Sequence, residues 1–165
     1  MVDLRGMPLI DHQLVVLRAA GITDLHVVAG YLEDRLNRPG LIKHINPAYA
    51  STNMVTTLFS VISLLTGAED VIITYGDIVY EMRVLDALIE SDAPVTLGVD
   101  LEWRSLWQAR MDDPLSDAET LKLKNTNRII EVGKKATSYD QIMGQYMGLI
   151  KIRADHVQKL VAAWQ

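Results

Sequence analysis

Cysteine is absent from the 165-residue chain, which excludes disulfides and thiolate metal sites and makes a reducing cytoplasm the expected compartment. No apolar run approaches the length of a membrane span, and the N-terminus lacks the basic-then-apolar layout of a signal peptide. A soluble protein with no membrane partner is expected. Positive charge is scarce too: 16 basic side chains stand against 21 acidic ones, for a net charge of −5, and no basic cluster exceeds Lys134-Lys135. Duplex binding rests on several phosphate-neutralising side chains, so nucleic acid is not an expected partner. His12, His26, His44 and His156 lack metal-site spacing. Internal repeats and low-complexity segments are missing as well. What remains is a single domain, 1–165, long enough to bury a core of its own.

The chain alternates helix and strand up to Asp100. Pro8 opens a helix on which Ile10, Leu14 and Leu17 recur at helical spacing, and Gly21 ends it. Leu25 to Ala29 reads as a short apolar strand running into Gly30-Tyr31. Leu32 to Asn37 reads as a surface helix, Pro39-Gly40 breaks it, and Leu41 to Ile45 reads as a strand near an edge. A turn-rich loop, Asn46 to Asn53, then meets a helix capped by Thr52 or Asn53, with Met54, Leu58, Val61 and Leu65 on one face. After a further strand, a helix around Leu85 and Leu88 leads to the strand Val95 to Val99. Beyond Asp100 the pattern changes. A polar excursion with Trp103, Trp107 and Asp112-Asp113-Pro114 precedes a hairpin, Glu119 to Lys124 and Arg128 to Val132 around Asn125-Thr126-Asn127. A last apolar strand, Tyr146 to Ile152, and an amphipathic helix, Asp155 to Trp164, complete the chain. Receiver and flavodoxin-like folds keep alternating to the end, which this chain does not.

The pivotal stretch is Val71 to Tyr80. Its β-branched start suits a strand covered on both faces, and Gly76 permits the turn that presents Asp77 above the sheet edge. Ligands of open α/β sheets sit outside the carboxyl ends of strands, so a carboxylate there suits a divalent cation held against a phosphate. The same pattern suits a turn or helix-capping aspartate.

Pro8-Leu9-Ile10, Leu17 to Asp24, Val27 to Tyr31, the loop residues Asn46, Tyr49, Thr52 and Asn53, Gly76-Asp77, Gly133-Lys134-Lys135 and Gly144 to Leu149 together resemble the nucleotidyltransferases that act on sugar phosphates or phosphocholine. The order and spacing agree along nearly the whole chain. The resemblance implies an α/β, Rossmann-like three-layer fold with a mostly parallel mixed sheet, and transfer of a nucleotidyl group from a nucleoside triphosphate, with CTP favoured, to phosphocholine, an aminoalkyl phosphonate or a sugar phosphate. It also implies a truncation at both ends. The family's glycine-rich, arginine-containing triphosphate loop would precede Met1 to Gly6, which hold one arginine and one glycine. A second metal carboxylate would follow Gln165. The missing first strand would lie between Leu25–Ala29 and Val71–Thr74, and such an open slot predicts either strands that close up or a homodimer. The alternative is a catalytically inactive relative that serves as a binding or interaction domain.

Residue by residue, the resemblance makes Asp77 the ligand of Mg2+, places Gly30, Tyr31 and Gly76 at the nucleotide, and sets Lys134 or Lys135 on the acceptor phosphate. Charged strand ends are also commonly just solvated. Tyr80, Trp103, Trp107 and Tyr146 are candidates for an aromatic box for a quaternary ammonium, in a field set by Asp112, Asp113 and Asp117; ordinary packing of large rings under a loop is the favoured reading of them. Asn53 suits either a substrate contact or a helix cap. Gln145 falls in the substrate-side strand pair. An anionic phosphate nucleophile needs no general base, so catalysis would consist of positioning and charge neutralisation.

Overall fold

Short extended segments and amphipathic helices account for most of the computed structural model, which describes residues 2–125 and 127–165. Met1 and Thr126, the middle residue of the expected hairpin turn, lie outside the described residues. The chain opens with a small hairpin that sequence reasoning did not foresee, β1 (Asp3–Leu4) against β2 (Met7–Pro8). Arg5 and Gly6 both carry positive φ, 52° and 80°, the backbone a two-residue turn requires. Pro8 then precedes α1 (Leu9–Ala19), and Gly21 takes the left-handed conformation after its end. Next come β3 (Leu25–Ala29) and β4 (Leu41–Ile45), paired in parallel with Leu25 opposite Leu41. Both strands have the bounds their apolar runs predict. Between them the expected surface helix is only a 3-10 turn, Glu33–Leu36.

After the loop 46–53 comes α2 (Met54–Phe59). It stops well short of the helix expected to run to Leu65. The Ser60 hydroxyl donates to the Thr57 carbonyl at 2.7 Å, one of several β-branched or hydroxyl residues here that compete with the helical ladder. Ile62–Leu64 then forms a separate 3-10 turn. β5 (Val71–Thr74), α3 (Met82–Glu90), β6 (Val95–Asp100) and α4 (Trp103–Arg110) follow. The remaining elements are β7 (Glu119–Lys124), β8 (Arg128–Lys135), β9 (Gln145–Ile152) and α5 (Ala154–Trp164).

The strands are ordered β5-β9-β6 in one sheet, with β3-β4 and β7-β8 as separate pairs. The architecture is mixed α/β and Rossmann-like. β3 and β5 do not pair with each other, so the strands expected to flank an empty slot have not closed up. β5 is an outer strand of its sheet and is only half-buried along its length, where coverage on both faces was expected.

The chain divides into two compact units, one of Met1–Thr96 with Ile150–Gln165 and one of Leu97–Leu149. In the first, Phe59, Leu65, Ile152 and Val157 form a core against which Val71, Ile73 and Leu160 pack. The rings of Phe59 and Trp164 stack with centroids 4.6 Å apart. Lys151 is buried here too. Its ammonium donates to the Ile89 and Ser91 carbonyls at 2.6 and 2.8 Å, which satisfies orphan acceptors at the end of α3. In the second unit, Trp103, Ala118, Ala136 and Ile142 form the core, and β7 and β8 pair antiparallel.

Candidate functional site

In the first unit, β5 delivers the chain into the turn at Gly76-Asp77. Asp77 is exposed and its carboxylate forms no hydrogen bond or ion pair with the described residues. It is therefore neither a helix cap nor a turn-stabilising aspartate here. It lines neither of the two hollows described below, so the expected crevice mouth is an open strand end. The turn itself is tightly held. The buried Gln13 of α1 donates its amide to the carbonyls of Tyr75 and Ile78, both at 2.8 Å, and accepts from the Thr74 hydroxyl at 3.0 Å. Tyr80 is half-buried, and burial pushes its phenol pKa up, with Thr74 opposing the shift. Its oxygen is enclosed and makes no hydrogen bond of ordinary geometry among the described residues.

The loop 46–53 is organised by one side chain. Buried Asn46 donates to the Thr52 and Thr57 hydroxyls at 2.9 and 3.1 Å and accepts from the Ala48 amide at 3.0 Å. Asn53 caps α2, its Oδ1 accepting from the Thr56 amide at 2.9 Å; its Nδ2, at an exposed position, has no hydrogen-bond partner among the described residues. Gly30 lies directly under the Tyr49 ring. A Cβ added at Gly30 would stand 2.3 Å from the ring, so close approach of that ring accounts for the glycine. Tyr31 is 74% exposed and, with Leu32, Arg35 and Leu36, lines a hollow of about 220 Å³.

The second unit has its own hollow, also of about 220 Å³, lined by Trp107, Asp117, Glu119, Thr120, Leu121, Val132, Gln145 and Tyr146. α4 carries Trp107 to its rim, where the indole N–H donates to the Asp117 carboxylate at 3.1 Å. The Arg110 guanidinium lies 5.6 Å from the Trp107 ring centre. Gln145 at the start of β9 is buried, accepts from the Glu119 amide at 3.3 Å and donates to the Glu119 carbonyl at 2.7 Å. Of the four aromatics expected to form a box, the hollow brings together Trp107 and Tyr146. Trp103 is 4% exposed and packs in the core, the bland alternative. Tyr80 belongs to the other unit. Asp112 is exposed and Asp113 caps the 3-10 turn Pro114–Ser116, so of the expected acidic field only Asp117 lines the hollow. Glu119 and Thr120, which sequence reasoning did not single out, also line it.

β8 runs past its expected end at Val132 because Gly133, with φ of 85°, forms a bulge. Glu119 pairs with Lys135 and Leu121 with Val132, leaving Gly133 and Lys134 opposite Thr120 alone. Lys134 donates to Glu131 at 2.8 Å. Lys134 and then Lys122 hold the Glu131 carboxyl down at about 2. Lys135 is exposed and has no ion pair among the described residues. Of the two lysines it alone is uncommitted.

Magnesium binds through one or two carboxylates plus substrate phosphates, so the unpaired Asp77 oxygens fit such an ion by donor type and availability. No group of three or more His, Asp or Glu side chains suited to a metal ion exists among the described residues. No helix among them is long and apolar enough to cross a membrane.

Residues 1–122 match the profile of the MobA-like NTP transferase domain. The whole chain aligns at 39% identity with the CTP:phosphoglutamine cytidylyltransferase of Campylobacter jejuni subsp. jejuni, spanning 68% of that protein. Among solved structures, the inositol-1-phosphate CTP transferase from T. maritima superposes with a TM-score of 0.68 at 20% identity, over 95% of this chain and 62% of that one. The CTP:phosphocholine cytidylyltransferase from Streptococcus pneumoniae superposes at 0.61 and 16% identity, over 98% and 64%. The chain thus spans less than two thirds of the length of these two structures.

Proposed function

Because the chain belongs to the MobA-like NTP transferase family, we propose that it transfers a cytidylyl group from CTP to the phosphate of a small acceptor. A phosphate oxygen of the acceptor attacks the α-phosphorus of CTP and forms the new P–O bond. The bond from the α-phosphorus to its bridging oxygen breaks, and pyrophosphate leaves with the electron pair. The observation that carries this reading is the 39% identity along the entire chain with a CTP-dependent relative.

In this reading Asp77 holds Mg2+, which, when bound, neutralises charge on the phosphates. Lys135 meets the acceptor phosphate. The acceptor's organic part occupies the hollow of the second unit, where the rings of Trp107 and Tyr146 and the carboxylates of Asp117 and Glu119 favour a cationic or hydrogen-bonding group. Phosphoglutamine, phosphocholine, aminoalkyl phosphonates and sugar 1-phosphates are the acceptors to compare. A coupled pyrophosphate-release assay with CTP, UTP, GTP and ATP against each should show turnover with CTP and a nitrogen-bearing acceptor. Silence with all pairs would overturn the reading. A second reading, binding without turnover, draws on the solitary Asp77 carboxylate. Calorimetry with CTP and Mg2+ that shows binding in a protein silent in the assay would favour it.

A further inference from the structure

A buried glutamine in mid-helix is unusual, because long polar side chains are mostly exposed and their burial is tolerated only when every polar atom is satisfied. Gln13 is 2% exposed and lies on the inward face of α1 beside Leu14 and Leu17. Its three hydrogen bonds all leave the helix and all end within the segment 74–78, more than sixty residues away in sequence. Two carbonyl oxygens at 2.8 Å identify the facing atom as the donor nitrogen, and the Thr74 hydroxyl completes the oxygen end. The two carbonyls belong to Tyr75 and Ile78, the residues that bracket Gly76-Asp77. The amide therefore spans the turn like a cross-brace beneath the exposed carboxylate.

Packing alone does not explain this arrangement. An apolar side chain of the same volume would fill the space, but would leave the Tyr75 and Ile78 carbonyls without the donor they have now. From this geometry we infer that Gln13 is the positioning residue for Asp77, fixing the backbone that aims its carboxylate; the inference rests on the metal role given to Asp77 above. Gly76 has a φ that any residue adopts and open space beside it, so the glycine adds backbone freedom that the brace restrains, not a conformation that only glycine could take. Gln13 is buried beneath the turn and bonded to it, so its action on Asp77 runs through the turn.

The test uses Gln13→Met, which keeps the volume and removes the amide, with Thr74→Val as a milder variant that removes only the hydroxyl donor. Amide hydrogen exchange over residues 73–80 and protein-dependent Mn2+ binding by electron paramagnetic resonance, in the full chain with CTP and counted above the Mn2+ that CTP holds in a protein-free control, are the readouts. Gln13→Met should speed exchange across 75–78 by about tenfold or more while the rest of the chain stays protected. It should also weaken Mn2+ by about tenfold, the scale of losing one or two buried hydrogen bonds. Thr74→Val should do the same to a smaller degree, and it decides the matter should Gln13→Met fail to fold. Asp77→Ala should abolish Mn2+ binding and leave the exchange pattern intact, because none of the brace's bonds uses the carboxylate. Unchanged exchange at 75–78 in the glutamine variant, or full Mn2+ affinity in a loosened turn, overturns the inference. Mn2+ binding that survives Asp77→Ala overturns the metal reading instead, and the exchange measurement still rules on Gln13.

Discussion

The strand end that carries Asp77 and the hollow that carries Trp107 are built on opposite plans. The first is open and holds a single unpaired carboxylate; its order comes from backbone carbonyls tied to one buried amide. The second is a partly enclosed cavity, with two rings and two carboxylates among its lining and a bulged hairpin for a wall. An open carboxylate suits a charge shared with a polyphosphate, which brings its own ligands and water. A lined cavity suits recognition of an organic group by shape and ring faces. On the proposed reading the two places divide the labour: one handles chemistry common to every acceptor and the other selects among acceptors.

Substitutions at the two places should therefore fail in different ways. Asp77→Ala should lower kcat by on the order of 10²–10³ with every acceptor, the scale of removing one preorganised electrostatic group from a transition state, as read in the pyrophosphate assay. An equal loss from Trp107→Leu would erase the contrast. Trp107→Leu should instead raise the acceptor KM by about tenfold and leave the CTP KM alone, as expected for loss of a ring contact worth ~1 kcal/mol or somewhat more. Scaffold damage provides a reference for both. Leu85→Ala, at a fully buried position of α3, should cost about 2–5 kcal/mol in denaturant melts without changing the acceptor KM of the folded fraction.

The smallest effect concerns the hairpin wall. Lys134 and Lys122 depress the Glu131 carboxyl to about 2 from an ordinary 4.5, so the folded hairpin binds its proton less readily than the unfolded chain does. The stabilisation is complete above about pH 4.5 and is lost as pH falls towards 2. Because the group is solvent-facing, the effect should be slight and weakened by salt. Acid titration of Glu131→Gln, followed by circular dichroism, should show a correspondingly shallower decline over that window.

Much of the fold was legible from runs and breakers. Leu25–Ala29 and Leu41–Ile45 could be bounded to the residue because β-branched runs end there in glycine or in a turn. The helix after Asn53 was misjudged because Met54, Leu58, Val61 and Leu65 keep helical spacing across residues whose hydroxyls break the ladder at Ser60. At the site, residue type exposed Asp77, but the sequence could not separate Trp103 from Trp107. They sit four apart on one helix, yet one ring is core and the other rim. Asn46 stands out in the sequence only as part of a turn-rich loop, and nothing there marks it as the buried organiser of that loop; for Gln13 a signal exists. Gln13 occupies a position of α1 where the apolar period leads inward, and a polar residue on such a face must have found buried partners.

The tyrosine ring seated on Gly30 carries a lesson about tolerance. Alanine at position 30 collides with that ring at less than bond-and-a-half range, so the substitution should be rejected whether or not a ligand ever comes near. Trimming Tyr49 at the same time should restore the loop, and the pair would then behave as a lock with two matched faces, each replaceable only in company with the other.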